Sequence, residues 1–231
     1  MPFSDVIGHT RLVALLRQAV VRRRVPQSLL FAGPAGIGKT AVALALAQAV
    51  NCPVREEAQA DDACGVCSTC RRIASRHHAD VVWLEKEGEA SIKIRAMRER
   101  VLAVAGYRPF EAARRVYIID PAEAMTVEAQ DALLKTLEEP PASALFILVT
   151  ALPDTLLSTI QSRCRRLRFG PLSDADVIRV LTGPLRVERD RARSLAYASP
   201  ESLPTRSGAC ARIILGVGSC SRSVTTSRPI R

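Results

Sequence analysis

Apolar residues recur along the chain in two rhythms, which together predict an alternation of helices and short buried strands. Residues 10–24, TRLVALLRQAVVRRR, put Leu12, Leu15, Leu16 and Val20 at i, i+3, i+4 and i+8, the stripe of an amphipathic helix closed by an arginine cluster. SLLFAG from Ser28 is a short apolar run stopped by glycine, which predicts a buried strand feeding a glycine-rich loop. TAVALALAQAV behind that loop predicts a helix. DVVWLE from Asp80, RVYIID from Arg115 and ALFILVT from Ala144 predict three more strands, each apolar and rich in β-branched residues. Between them SIKIRAMRERVLAVAG sets Ile94, Met97, Val101 and Val104 on one helical face. VEAQDALLKTLEE predicts a further helix, ended by Pro140 and Pro141. Strands alternating with helices give an α/β fold with a parallel sheet covered on both faces. Residues 173–198 read as helix without strand, the start of a small helical domain.

The pattern then fails. Residues 200–231 are rich in Ser, Arg and Gly and keep no period of 3.6 or 2. Without an apolar face to offset the entropy of ordering, this tail is expected to be poorly ordered. A shift of reading frame near codon 200 would account for the loss of pattern.

A length of 231 residues with 48% hydrophobic and 24% charged positions can bury a full core. No apolar run approaches the ~20 residues of a membrane span, and the N-terminus has no secretory apolar segment, so a cytoplasmic location and no membrane partner are expected. The net charge is +10, of which the tail supplies +4. The remaining +6 fits DNA binding and fits a solvated basic surface equally well.

Gly33-Pro-Ala-Gly36-Ile-Gly38-Lys39-Thr40 satisfies G-x-x-x-x-G-K-[ST] in the context the motif needs, after a strand and opening a helix. Its glycines let successive N–H groups turn toward a β-phosphate at a helix N-terminus. Lys39 then reaches the β- and γ-phosphates of ATP, and the Thr40 hydroxyl ligates Mg²⁺. Asp120, at the end of the apolar run VYII, is the candidate for the second acidic half of such a site, holding the Mg²⁺ shell.

Seven cysteines in a cytoplasmic chain point to metal or redox chemistry before disulfides. Cys64, Cys67 and Cys70 form C-x-x-C-x-x-C, and eleven residues separate Cys52 from Cys64. Four thiolates suit tetrahedral Zn²⁺. The spacing is shared with part of an iron–sulfur run, but no fourth cysteine or Cys-Pro follows Cys70, which favours a structural zinc knuckle over residues 52–70. His77 and His78, rival ligands by position, read as a surface pair.

GPAGIGKT, the cysteine cluster, VYIIDPAEAM, ALLKTLEEPP, FILVT and Ser162-Arg163-Cys164 together resemble the clamp-loader branch of the AAA+ family over about Phe3 to Ala198. The resemblance implies a RecA-like αβα P-loop base domain over 1–171, a helical lid beginning at 172–199, and a collar for which the chain is too short. It implies a subunit of a five-membered ring that opens the sliding clamp around primed DNA within DNA polymerase III, beside gamma/tau and delta subunits. It makes Thr150 the sensor-1 residue and Arg163 an arginine finger offered to a neighbouring subunit, and it sets Val6, Ile7 and Gly8 along the adenine pocket. Arg95 falls where some relatives touch the DNA backbone, and it also reads as an exposed helix arginine.

Two members of the branch compete. ATPase subunits of the gamma/tau type follow the Asp120 position with a glutamate that orients the attacking water, whereas this chain has Pro121. Proline offers no acceptor for a water proton, so hydrolysis is expected to be slow and the delta-prime type is favoured. Glu123 lies two residues further on and is expected to point elsewhere.

Overall fold

A computed structural model describes residues 1–86, 91–183 and 187–190. The tail from 200 and most of the predicted lid beyond 183 lie outside the described residues.

The strands form one parallel sheet in the order β2-β3-β4-β1-β5. They are β1 (Ser28–Ala32), β2 (Val81–Leu84), β3 (Arg115–Ile119), β4 (Ala144–Thr150) and β5 (Arg165–Arg168). The first four are the apolar runs of the sequence. Strands covered on both faces need no polar side, so they read as continuous hydrophobic stretches. β5 was not anticipated: RRLR buries only Leu167 and pairs with β1 alone, and unlike β2 at the other edge it is polar.

Alternate strand residues feed two cores. Leu29, Phe31, Val116, Ile118, Ile147 and Val149 face α1 (Thr10–Val21) and α2 (Lys39–Asn51). Leu30, Tyr117, Ile119, Phe146 and Leu148 face the opposite layer, where Met97, Val101, Leu133 and Ile160 are buried. Helix α2 is sheathed almost entirely, which explains why its sequence is apolar all round rather than striped. Two short helices, α3 (Pro53–Glu57) and α4 (Ser68–Ala74), flank the cysteine segment.

In the opposite layer the run from Ile94 is α5 (Ile94–Met97), a π turn (Arg98–Leu102) and α6 (Ala103–Ala105). Helix α7 (Val127–Glu138) is capped by the Thr126 hydroxyl, which accepts from Ala129 N, and α8 (Ser158–Arg163) leads into β5. Helix α9 (Asp174–Thr182) begins the predicted lid and stops at Gly183, which Pro184 follows in sequence. Among the described residues no helix is long and apolar enough to cross a membrane.

Candidate functional site

The sheet order brings chain segments far apart in sequence to one margin. β1 lies beside β4 with Ala32 level with Thr150, and β3 follows on the far side of β4 with Ile119 level with Leu148. The loops after β1, β3 and β4 therefore converge at the carboxyl ends of the strands, where open α/β sheets bind ligands. These loops carry Gly33–Thr40, Asp120 and Thr150.

The loop after β1 is built for close approach. A methyl group on Gly33 would lie 2.3 Å from the Phe169 carbonyl oxygen, so only glycine fits there. Gly36 and Gly38 hold φ of 76° and 95°, and Gly38 caps α2, so its first N–H groups open toward the loop. Lys39 is 6% exposed and folds back on its own loop, donating to Gly33 O at 2.7 Å and Pro34 O at 2.6 Å. Burial lowers its pKa, while Asp120 and Glu123 pull the other way. The hydrogen bonds of this ammonium go to two backbone carbonyls and to no anion, and a phosphate supplies a charged acceptor.

Thr40 Oγ1 donates to Asp120 Oδ2 at 2.6 Å, which joins the two residues expected to share a Mg²⁺. Desolvation pushes the Asp120 carboxyl up, and the Thr40 bond and the Lys39 charge offset only part of that. The donor set is a hydroxyl and a carboxylate, the hard oxygens that Mg²⁺ takes. Thr150 is buried, its Oγ1 accepts from Leu152 N at 3.0 Å, and its carbonyl accepts from Gly33 N at 3.3 Å. Ile7 and Gly8 lie on an N-terminal arm: a methyl group on Gly8 would meet Leu172 Cδ2, just before α9, at 2.4 Å and Asp176 Oδ2 of α9 at 3.5 Å. His9, which the sequence reading passed over, ties this arm to the loop by donating from Nε2 to Ile37 O at 2.8 Å. Its ring also meets Phe169 edge-on at 5.0 Å.

Glu123 corrects an expectation. It does not point away: Oε1 accepts from Ala151 N at 3.1 Å, directly after Thr150, and Oε2 is buried without a hydrogen bond. Its charge acts on both Lys39 and Asp120. No local spacing signals this, because the contact spans the loops after two different strands.

Arg163 stands elsewhere. Arg165, two residues on, is level with Leu29, whereas the phosphate loop starts beyond Ala32. At about 3.3 Å per residue this sets Arg163 toward the opposite margin of the sheet, more than about 10 Å from its own loop. It donates from Nη2 to Glu138 Oε1 at 2.5 Å and from Nη1 to Thr159 O at 3.0 Å. Arg95 is exposed and paired with Glu99 at 2.8 Å.

The sulfurs of Cys52, Cys64, Cys67 and Cys70 all lie within 4.8 Å of one another, and Cys52 and Cys64 are 3.6 Å apart. Zn–S bonds of roughly 2.3 Å in a tetrahedron separate sulfurs by about 3.8 Å, so the four thiols fit that ion. Backbone N–H groups of Arg55, Cys67 and Cys70 point at the sulfurs from 3.3 to 3.4 Å. Burial raises the Cys70 thiol, whereas at Cys64 the surrounding N–H and thiol groups outweigh burial and bring it down to about 7. The knuckle is docked firmly. Gln48 of α2 donates to Cys70 O at 2.6 Å, and Asp62 accepts from Phe3 N, Ser4 N and Arg17, each at 2.8 Å.

His78 is not a surface residue. It is 4% exposed, its Nδ1 accepts from Asp80 N at 3.1 Å, and burial lowers its pKa; His77 alone is exposed.

The sequence profile of the family described as DNA polymerase III, delta subunit, matches residues 8–173. The tau subunit of DNA polymerase III from Bacillus subtilis is 35% identical over 177 residues, covering 76% of this chain and 30% of the relative. The Escherichia coli tau subunit is 34% identical over 177 residues, covering 77% of this chain and 26% of the relative. The chain thus spans about a third or less of these curated relatives. A gamma subunit-related protein of Thermotoga maritima superposes with a TM-score of 0.54 at 25% identity, covering 79% of this chain and 57% of that one. The RuvB protein of the same organism shares the fold alone, with a TM-score of 0.57 at 18% identity over 93% of this chain and 62% of that chain. On the matched profile and these identities, the chain belongs to the DNA polymerase III clamp-loader family of AAA+ proteins.

Proposed function

We propose that this chain is an ATP-binding subunit of a bacterial clamp loader, of the delta-prime type, working in the cytoplasm with gamma/tau and delta subunits, the sliding clamp and primed DNA. Residues 1–171 are its base and 172–199 the start of its lid. Lys39 and the N–H groups of Gly33, Gly36 and Gly38 hold the phosphates, Thr40 and Asp120 hold Mg²⁺, and Ile7 and Gly8 flank the base. Thr150 senses the γ-phosphate. The observation that carries the reading is Lys39, parked on its own loop carbonyls beside the bonded Thr40 and Asp120 pair. Pro121 after Asp120 supports slow turnover by the isolated chain, and the position of Arg163 away from its own loop supports action in trans. A guanidinium is always charged, and a supplied arginine finger contributes on the order of 10³ to 10⁵ in rate.

The test is a loader assembled with Arg163→Ala in this chain and intact partners. Turnover at the neighbouring site is expected to fall on the order of 10³-fold, with ATP binding by this chain unchanged. Unaltered clamp loading and turnover would remove Arg163 from the reaction.

The four thiols hold one structural Zn²⁺ in this reading. Metal analysis is expected to find about one zinc per chain, reduced by Cys67→Ser together with the stability of the knuckle. A folded preparation free of zinc, or one coloured by iron, would overturn it. A second reading, an ATPase of the gamma/tau type, is favoured by one observation, the buried free oxygen of Glu123 beside the site.

A further inference from the structure

We infer that helix α4 transmits metal occupancy of the four-thiol site to the edge of the sheet. Arg72 and Arg76, at its far end, hold loop 107–112 and the ring of Trp83 while the metal pins its start. This coupling rests on the four thiols holding Zn²⁺, and extends that reading by giving the ion a structural output beyond its own ligands.

Helix α4 is too short to stand alone. Its seven residues lie below the length at which helices persist in water, so its form depends on what holds it. Two thiols hold its start: Cys67 caps it, with Sγ accepting from Cys70 N at 3.4 Å, and Cys70 lies in its first turn. Burial of Ile73 and the bond from Gln48 to Cys70 O seat its inner side. The other end is closed tightly. Arg76 N donates to Ile73 O at 3.0 Å and His77 N to Arg72 O at 2.9 Å, with Arg76 in the left-handed region at φ 62°. Glycine usually fills that position, and any other side chain there is strained.

Two arginines of this end reach other elements. Arg72 grips Glu111 with two parallel bonds, Nη1 to Oε1 at 2.6 Å and Nη2 to Oε2 at 2.9 Å. Glu111 lies in the loop before β3, which exposes Tyr107 and Phe110 and whose amides 110–112 are tied to Asp80. Arg76 lays its guanidinium 4.1 Å from the centre of the Trp83 ring in β2 and pairs with Glu85. Fraying of α4 from its first turn withdraws both guanidinium groups, because the closed helix end places each of them. The loop then keeps Asp80 and loses Arg72, and Trp83 loses its cover.

Hydrogen exchange of the full chain tests this, measured with zinc bound, after a chelator removes it under reducing conditions, and after zinc is restored. The emission of Trp83, the one tryptophan of the chain, is followed in parallel. Zinc removal is expected to speed exchange at amides 110–112 roughly fivefold, the most that a partly exposed ion pair supplies. It is also expected to shift Trp83 emission to longer wavelength, and restored zinc reverses both changes. Arg72→Ala keeps all four thiols, so it should hold about one zinc, exchange this fast with the ion bound, and gain nothing further on its removal. Arg76→Ala should show the shifted emission with zinc bound. Wild-type exchange in zinc-bound Arg72→Ala would overturn the inference, as would a wild-type chain whose loop and Trp83 ignore zinc removal. Equal loss of protection in β3 and β4 would overturn it too, since the ion would then hold the whole domain rather than α4. A folded chain that binds no zinc would overturn the metal site and the coupling with it, an outcome read directly from metal content.

Discussion

Asp80 and Asp120 belong to neighbouring parallel strands and sit at opposite margins of the same sheet. Asp80 opens β2 and is wholly buried, accepting from Phe110 N, Glu111 N and Ala112 N at 2.7 to 3.0 Å and from Arg115 at 3.0 and 3.2 Å. Burial alone would raise its pKa, but these donors outweigh it and pull the carboxyl below its usual range. Asp120 follows β3, is half-buried, accepts one bond, from Thr40, and is pushed up by desolvation. The same side chain is saturated at one margin and left with spare lone pairs at the other. A filled carboxylate organises its own protein, whereas one with spare capacity at a loop junction is available to a cation.

The largest effect expected from this contrast is on stability. Asp80→Asn removes the charge facing Arg115, whose side chain is 12% exposed, and leaves part of the loop 110–112 without an acceptor. Breaking one side of a buried pair costs about 3–5 kcal/mol, so urea unfolding should show a loss of that size with ATP affinity unchanged in the folded fraction. A loss below about 1 kcal/mol would mean that the network contributes no more than a surface pair.

Asp120→Asn should do the reverse. Stability should stay within about 1 kcal/mol of wild type or rise, as at other strained functional positions, while Mg²⁺-dependent ATP binding is lost. The pH dependence has opposite signs at the two sites. A depressed folded pKa makes the Asp80 contribution present above the unfolded value of about 3.9 and lost as pH falls through the folded one. A raised folded pKa makes the Asp120 contribution present below that value and lost as pH rises through the folded one. The stability gap between wild type and Asp80→Asn should therefore close on acidification below about pH 4. That between Asp120→Asn and wild type should open as pH rises from there. Parallel unfolding curves against pH for the two variants would erase the distinction.

Legibility in the sequence follows the same division. The four apolar runs are readable because each is buried on both faces, β2 included although it lies at an edge of the sheet, and the phosphate loop because its glycines, Lys39 and Thr40 are consecutive. Asp120 is readable because it ends an apolar strand. β5 is not, since its single buried side chain, Leu167, leaves no continuous apolar signal. The π turn in the helix from Ile94 is likewise invisible to a 3.6-residue count. Asp80, His78 and Glu123 were missed or misplaced for a common reason. Their decisive partners, Arg115, Glu111 and Ala151, lie 28 or more positions away, and only the sheet order brings them together.

The smallest expected effect concerns a pair that resembles neither aspartate. Arg163 and Glu138 bond at the end of α7 with side chains 32% and 48% exposed, so water and salt screen both partners. Exposed pairs of this kind contribute about 0–1 kcal/mol, and two flexible side chains lose entropy in forming them. Glu138→Ala should thus shift the unfolding midpoint by less than this range implies, and the shift should vanish at high salt. The weakness matters for function, because an arginine that acts on a neighbour's phosphate must leave its own surface partner at little cost. A loss above about 2 kcal/mol in Glu138→Ala, persisting in high salt, would place this pair with the saturated Asp80 network and make Arg163 a structural residue. A loss within the surface range leaves the guanidinium free to exchange Glu138 for a stronger anion offered in trans.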